Sequence, residues 1–217
     1  MTRPAVLQIR DLSADPLLPG PGLFWRSCGF LRQEASLARH DGVTLALPPD
    51  LSAAVPGRRA EFLAGRLCAT LALRAAGSPG EVGRAGRAPV WPAGFSGSIS
   101  HCGELAVAVV RQGGGLGVDM EREFPAETAA EVAPLLLTPR DRARRPPDWS
   151  EPRFATLLFS AKEALFKALS AGLADIPDFT EAALERLEDG QAVLRFRGGC
   201  HTVLWAFRDG LCLTLAA

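Results

Sequence analysis

Leucine spacing predicts the first long helix of the chain. In the segment 58–74, Leu63, Leu67 and Leu71 recur at every fourth position, which is the period of one face of an α-helix. Gly77 follows, and glycine is frequent just beyond helix ends. We therefore expect an amphipathic helix here, with the three leucines buried.

A second long helix is predicted after Ser150, whose hydroxyl can cap a helix N-terminus. The segment carries one continuous apolar stripe and ends near Gly172. The stripe consists of Phe154, Leu158, Ala161, Leu165 and Ala168. A shorter apolar helix is expected over 129–137, and we expect the basic segment LTPRDRARRPP that follows it to be an exposed connection.

Short apolar runs after each long helix predict strands. The first helix is followed by SISH, ELAVAVVR and LGVDME, with a glycine-rich turn between the last two, and the second by QAVLRFR, TVLWAFR and LCLTLAA. Each half thus repeats one order of elements. We expect an α+β protein of two similar α/β halves, residues 1–125 and 126–217, with a ligand site between them.

Composition limits the classes of function. Of the 217 residues, 47% are hydrophobic and 22% charged, which suits one large core or two small ones and argues against disorder. The 24 basic and 24 acidic residues cancel, so no overall field steers the chain to nucleic acid or to an anionic membrane. The five cysteines form no CxxC pair, and neither a leader peptide nor a long apolar run is evident. We expect a cytoplasmic protein with reduced thiols.

Two carboxylates stand close together in the sequence GVDME. Asp119 and Glu121 are two residues apart on a predicted strand, so both side chains project from one face of the sheet. Oxygen ligands without a neighbouring His or Cys suit a hard ion such as Mg²⁺. The pattern is short, however, and an acidic strand end that faces solvent would read the same way.

The second long helix also has a polar face. Glu163 shares this face with Ser160, Lys167 and Ser170 at spacings of three and four residues. An ordinary Glu–Lys pair, worth about 0.2–0.5 kcal/mol on an exposed helix, would explain the same spacing.

Arginines and one histidine supply candidate anion-binding groups. On the first helix Arg59 and Arg66 share a face, Arg58 lies about a quarter turn away, and Arg87 stands in the following loop. Arginine forks suit phosphate oxygens, although a solvated helix face needs no ligand. In GSISHCG, His101 is expected just beyond a strand end. A serine hydrolase is disfavoured because no GxSxG elbow surrounds the serines, and zinc is disfavoured because the His–Cys neighbours lack ligand spacing.

Taken in order, five segments resemble one family. RRAEFLAGR, RAPVWP, GSISHCG, LGVDME and FSAKEALFKA together resemble the 4′-phosphopantetheinyl transferases of the surfactin-synthetase-activating type, in particular the group of the enterobactin synthetase component D. The resemblance spans most of residues 58–170. The first 50 residues carry little signal, and the last 45 or so resemble the family mainly in their strand pattern.

The resemblance implies a pseudo-twofold α+β fold with coenzyme A and Mg²⁺ between the halves. By their positions in the motifs, Asp119, Glu121 and Glu163 would ligate Mg²⁺. Glu163 would also deprotonate the incoming serine, directly or through a metal-bound water, and Lys167 would reach the pyrophosphate. Phe159 stands where many relatives have Trp, a conservative aromatic exchange.

The resemblance also assigns the phosphate-binding groups. Arg58 and Arg66 match positions that hold the phosphates of the adenosine part, and Arg87 matches a basic position in the loop before WP. Ser100 and His101 match the segment that contacts the coenzyme's phosphates. The helix wheel favours Arg59 as the partner of Arg66, whereas the motif alignment favours Arg58, and we follow the alignment.

The implied reaction is transfer of phosphopantetheine from coenzyme A to a serine of an apo acyl or peptidyl carrier protein, with release of adenosine 3′,5′-bisphosphate. Siderophore, nonribosomal peptide or polyketide synthesis would supply the carrier. The two-half organisation predicts a monomer. The alternatives are a non-catalytic module that binds coenzyme A or a carrier, and a metal-dependent phosphohydrolase that uses the same carboxylates.

Overall fold

The two long helices predicted from apolar spacing are present, each packed on an antiparallel sheet. The computed structural model describes residues 4–78, 80–86, 88–173, 175 and 177–217. The chain divides into two compact units, Met1–Gly114 and Gly115–Ala217. This division lies before the strand that carries Asp119 and Glu121, whereas we had expected the halves to meet at residue 125.

The first unit is built around helix α1 (Pro56–Ala75). Leu63, Leu67 and Leu71 are all buried, as predicted. A four-stranded sheet in the order β1-β2-β8-β7 packs against this helix, and two small hairpins, β3-β4 and β5-β6, complete the unit. The strands are β1 (Ile9–Ser13), β2 (Phe24–Phe30), β3 (Leu37–His40), β4 (Val43–Ala46), β5 (Gly83–Ala85), β6 (Ala88–Val90), β7 (Phe95–Cys102) and β8 (Leu105–Gln112).

The second unit is built around helix α4 (Glu151–Leu169), which Ser150 caps through its side chain as predicted. The helix packs on a five-stranded antiparallel sheet in the order β10-β11-β12-β13-β9. The remaining elements are β9 (Gly117–Arg122), α2 (Ala126–Leu136), α3 (Pro139–Arg142), β10 (Ala182–Glu188), β11 (Gln191–Phe196), β12 (Gly199–Arg208) and β13 (Leu211–Ala216). The α+β fold class is therefore confirmed in each unit.

Strand β9 is not the third strand of a meander with β7 and β8. It pairs with β13, and Asp119 lies opposite Thr214 in the register. The glycine-rich run after β8 therefore joins two sheets and does not close a hairpin. As a result, both carboxylates of GVDME belong to the same unit as Glu163 and Lys167.

The basic segment after α2 is not simply an exposed connection. It contains the short helix α3, whose Asp141 is completely buried and forms an ion pair with the buried Lys162 of α4 at 3.0 Å. Lys162 Nζ also donates to the Leu136 carbonyl oxygen, and Asp141 accepts the backbone N–H of Leu184. This pair ties α2, α3 and β10 to the helix that carries Glu163.

The predicted strands of the C-terminal part are confirmed as β11, β12 and β13, whereas strand β10 was not predicted. His101 lies inside β7, one residue before its end, and not beyond the strand. In the described part of the chain, the helices lack the combination of length and apolar character that would let one cross a membrane.

Candidate active site

Helix α4 and strand β9 approach each other through a glycine. A β-carbon on Gly117 would lie 1.9 Å from the carbonyl oxygen of Ala164 and 2.6 Å from the amide nitrogen of Ala168. Because side chains alternate along a strand, Asp119 and Glu121 project from the same face as Gly117, towards α4. The close packing thus presents both carboxylates to the polar side chains of the helix.

Lys167 of α4 contacts Asp119 directly. Its Nζ lies 2.6 Å from Asp119 Oδ1 and 3.3 Å from the Val118 carbonyl oxygen. Asp119 is only 4% exposed, so this ion pair is far less screened by water than a surface pair would be. Two of the three N–H donors of the lysine are used in these contacts, which leaves the third for another acceptor.

Glu121 and Glu163 are carboxyls whose ionisation is disfavoured. Burial, reinforced by the negative charges of Asp119 and Glu163, raises the pKa of Glu121 to about 7, although Lys167 opposes the shift. Burial likewise raises the pKa of Glu163; Lys167 opposes this change and Asp119 adds to it. Asp119, Glu121 and Glu163, here called the acidic cluster, thus concentrate negative charge that a cation would stabilise.

The neighbouring strand β13 supports the acidic cluster. Thr214, which pairs with Asp119 in the sheet, lies with its Oγ1 2.9 Å from Ser160 Oγ and donates to the Ser160 carbonyl oxygen. Cys212 pairs with Glu121, and burial raises the pKa of its thiol so that it stays neutral. Sequence reasoning missed Thr214 and Cys212, because only the pairing of β13 with β9 places them here.

A cavity of about 470 Å³ opens beside α4. Glu163 and Lys167 line it, together with Phe166, Ser170, Leu173, Asp175 and Pro177. Glu163 and Lys167, unlike Asp119 and Glu121, therefore line a space that is large enough for part of a small-molecule substrate. Ligand pockets typically have volumes of about 300–1,000 Å³.

The donor chemistry of the acidic cluster suits Mg²⁺. Its three side chains offer only carboxylate oxygens, which are the protein ligands this ion prefers. In the described residues, no group of three or more His, Cys, Asp or Glu side chains is already arranged to hold a metal. Asp119 instead forms an ion pair with the side chain of Lys167.

In the first unit, Arg58 and His101 lie together. Arg58 Nη1 lies 3.3 Å from His101 Nε2, because His101 is on the same face of β7 as Ile99, the residue that packs against Gly65 of α1. Arg59 points elsewhere and bonds Glu34 at 2.7 Å. The geometry thus favours Arg58 over Arg59 as the neighbour of the GSISHCG segment.

Arg66 lies two helical turns beyond Arg58, about 12 Å along the axis of α1. It is buried, donates to the carbonyl oxygens of Val82 and Gly83, and packs on the ring of Phe62. Arg84, which sequence reasoning missed, packs on the same ring and bonds Asp50. Burial, aided by the charge of Arg84, lowers the pKa of Arg66.

Two further predicted groups are Ser100 and Arg87. Ser100 is buried in β7, and alternation directs it to the face of the sheet opposite to His101. Arg87 lies outside the described residues. The structure therefore brings Arg58 to His101 in the first unit, and Asp119 to Lys167 beside the two glutamates in the second.

The sequence is similar to known proteins along most of its length. The model described as 4′-phosphopantetheinyl transferase N-terminal domain matches residues 47–111, and that of the 4′-phosphopantetheinyl transferase superfamily matches residues 115–216. Enterobactin synthase component D of Escherichia coli O157:H7 is 36% identical over 164 residues, which are 73% of this chain and 76% of that protein.

Two further relatives have nearly the same sequence identity to the chain. The 4′-phosphopantetheinyl transferase Svp of Streptomyces mobaraensis is 34% identical over 207 residues, which are 83% of this chain and 81% of the relative. The 4′-phosphopantetheinyl transferase Npt of Nocardia iowensis is 34% identical over 146 residues, or 65% of this chain and 66% of the relative. The two family matches lie on either side of the boundary between the structural units.

Proposed function

The chain belongs to the 4′-phosphopantetheinyl transferase superfamily, and from this premise we propose how its own residues carry out the transfer. The family resemblance read from the sequence motifs is confirmed. The protein is an enzyme that moves the 4′-phosphopantetheine group of coenzyme A to a serine of an apo carrier protein. The other product is adenosine 3′,5′-bisphosphate.

The contact between Lys167 and Asp119 is the observation that carries the assignment of the active site. It joins the predicted metal-ligand strand to the predicted catalytic helix, beside two glutamates whose pKa values are raised. Perturbed carboxyls that share one lysine are typical of functional sites.

Asp119, Glu121 and Glu163 would hold Mg²⁺. When bound, the ion would offset the charge of the pyrophosphate oxygens of coenzyme A. The raised pKa of Glu121 supports this role, because burial and, in addition, its two acidic neighbours disfavour its charged form until a cation joins them.

Glu163 takes the proton from the hydroxyl of the carrier serine. Serine is a weak nucleophile at its ordinary pKa and needs an adjacent base. The raised pKa of Glu163 brings this carboxylate closer to neutral pH, where a general base is most effective. The serine oxygen then attacks the β-phosphorus, and the bond to the adenosine bisphosphate breaks.

Lys167 donates a hydrogen bond to the pyrophosphate. Its position beside the cavity and its remaining N–H donor fit this role. A charged donor fixed in a partly buried site stabilises the developing charge without reorganisation.

Arg58, Arg66, Ser100, His101 and Arg87 would bind the phosphates of coenzyme A. The 3.3 Å contact between Arg58 and His101 supports the first of these assignments. Arg66 also donates hydrogen bonds to the carbonyl oxygens of Val82 and Gly83, and so supports the start of β5 in addition to supplying a positive charge.

The carrier belongs to siderophore, nonribosomal peptide or polyketide synthesis, as the name of one group of relatives suggests. The enzyme acts as a monomer in the cytoplasm.

Intact-mass spectrometry tests the proposal. The enzyme is incubated with coenzyme A, Mg²⁺ and a panel of apo carriers, with and without a chelator. We expect one phosphopantetheine to be added to a carrier only when Mg²⁺ is present, and the variant Asp119→Asn to be inactive. The control Glu188→Gln changes an exposed carboxylate of the same unit and should retain full activity. Full activity of Asp119→Asn, or transfer that no chelator reduces, would refute the assignment.

A further inference from the structure

One partly buried glutamate in the first unit lies close to two arginines and a histidine. Glu61 of α1, whose side chain is only 13% exposed, lies 3.1 Å from Arg32, 3.6 Å from Arg58 and 3.9 Å from His101. The resemblance assigns Arg58 and His101 to phosphate binding. No sequence motif pointed to Arg32, which lies in the loop after β2.

Gly57 creates the space that Arg32 occupies. A β-carbon on Gly57 would lie 2.7 Å from Arg32 Nη2 and 2.8 Å from its Nε, so the guanidinium rests flat against the first turn of α1. This turn contains no acidic side chain. The positive end of the helix dipole and the charge of the guanidinium therefore both raise the electrostatic potential at this point, which favours the binding of an anion.

The charges around Glu61 do not balance. Arg32 and Arg58 carry two positive charges against the single negative charge of Glu61, even with His101 neutral. The side chains of Arg32 and Arg58 remain 48% and 43% exposed, while the carboxylate beneath them is nearly covered. Each guanidinium has five N–H donors and uses only some of them on Glu61, so donors of both face solvent together.

We propose that Arg32 is a further coenzyme-binding residue, which together with Arg58 holds the phosphate monoester on the adenosine ribose of coenzyme A. Glu61 is a positioning residue that fixes the two guanidinium groups side by side. The inference rests on the proposed function, in which Arg58 binds the phosphates of the adenosine part. Arg32 lies in a loop whose backbone is anchored by the bonds of Leu31 and Gln33, so its side chain can be changed without disturbing the sheet.

A purely structural ion pair between Arg32 and Glu61 is the competing explanation. Exposed pairs of this kind contribute only about 0–1 kcal/mol to stability. A structural role would change the free energy of unfolding slightly and leave coenzyme binding unaffected. A binding role would weaken the affinity for coenzyme A alone, and only when the ribose phosphate is present.

Calorimetric titration of the enzyme with coenzyme A and with 3′-dephospho-coenzyme A distinguishes the two roles. We expect Arg32→Ala to raise Kd for coenzyme A about tenfold and to leave Kd for the dephospho compound within about twofold, a difference of about 1.4 kcal/mol. The kcat should stay near that of the wild type, since the ribose phosphate is remote from the reacting phosphorus. The matched control is Arg10→Ala, which removes an equally exposed arginine paired with Glu104 and should change neither Kd.

Gly57→Ala tests the same site without removing a charge. The new methyl group displaces the flexible end of Arg32, while alanine is a better helix former than glycine. We expect Kd for coenzyme A to rise without loss of stability, and the double variant Arg32→Ala/Gly57→Ala to bind as Arg32→Ala does, because both changes remove one interaction.

Arg58→Ala separates failure of the inference from failure of the proposed function. If Arg58→Ala weakens binding of coenzyme A selectively while Arg32→Ala and Gly57→Ala do not, Arg32 has only a structural role and the inference is overturned. If the wild type binds both compounds equally and Arg58→Ala has no effect, the assignment of the adenosine phosphates is itself wrong.

Discussion

Gly117 and Ala164 touch through their backbones, since a β-carbon on the glycine would lie 1.9 Å from the alanine carbonyl oxygen. This contact sets the distance between the strand that carries Asp119 and Glu121 and the helix that carries Glu163 and Lys167. No other residue type leaves that space. The active-site assignment therefore depends on a glycine that contributes no functional group.

Gly117→Ala should separate β9 from α4. The clash involves backbone atoms that cannot rotate away, so we expect a loss of about 1–3 kcal/mol in the free energy of unfolding, together with a loss of transferase activity in the protein that still folds. Urea unfolding and the carrier-modification assay measure the two effects. Gly114→Ala is the control, because a β-carbon there meets no atom within 4 Å. A Gly117→Ala enzyme with normal stability and activity would contradict the packing described.

The raised pKa of Glu121 predicts a pH dependence of stability. The unfolded chain releases this proton near the ordinary value of 4.5, whereas the folded protein keeps it until about pH 7. Between these values the folded state binds more protons, so the stability of the metal-free protein should fall as the pH rises from about 4.5 to 7. Below 4.5 the group is neutral in both states and has no effect.

Glu121→Gln should remove this part of the pH dependence, as measured by urea unfolding in chelator at several pH values. Glu188→Gln, which changes an exposed carboxylate, should preserve it. Because a ligand carboxylate must be ionised, Mg²⁺ should stabilise the wild type most above pH 7. An identical pH profile for the wild type and Glu121→Gln would show that the carboxyl is not perturbed.

Arg58→Ala and Arg59→Ala form a matched pair of neighbours on α1. Arg58 lies 3.3 Å from His101, whereas Arg59 bonds the exposed Glu34. We expect only Arg58→Ala to raise KM for coenzyme A, by about tenfold or more, because a charge-assisted bond to phosphate contributes about 1.5–3 kcal/mol. Steady-state kinetics with a saturating carrier gives both values. A larger effect of Arg59→Ala would favour the helix-wheel interpretation over the motif alignment.

The sequence predicted correctly those elements whose apolar residues are the ones that the fold buries. Helices α1 and α4 carry a clear apolar period, strands β11 to β13 carry short apolar runs, and all five elements were found. Strand β10 was missed because its sequence, AALERLE, consists of good helix formers and becomes a strand only through its pairing with β11. The partner of β9 was also beyond sequence reasoning, since β13 lies about 90 residues later and no local pattern joins the two.

The charged groups of the candidate active site could be selected from motifs, whereas the residues that support them could not. Asp119, Glu121, Glu163 and Lys167 stand in short segments with family-specific spacing. Asp141 stands in PRDRARRPP, where charge and proline indicate an exposed loop, yet it is completely buried. A buried charge can be recognised only when its partner is known, and that partner is 21 residues away in the chain.

Lys162 and Lys167 are five residues apart on α4 and should behave oppositely when replaced. Lys162 is completely buried, where its Nζ bonds Asp141 at 3.0 Å and the Leu136 carbonyl oxygen at 2.8 Å. Lys162→Met leaves Asp141 as an uncompensated buried charge, which typically costs about 3–5 kcal/mol of stability. Since Lys162 does not reach the cavity, kcat of the folded fraction should remain close to that of the wild type.

Lys167→Ala should instead lower kcat by about 10²–10³-fold, the usual effect of removing one donor that stabilises developing charge. Its stability should fall less than that of Lys162→Met, because the Lys167 side chain is 31% exposed and its loss lets water reach the otherwise buried Asp119. Thermal unfolding and single-turnover transfer, measured on both variants, show whether the loss of each lysine lowers the stability or the rate of transfer. If Lys162→Met proved stable but inactive, or Lys167→Ala unstable but active, the division of α4 into a structural and a catalytic side would be wrong.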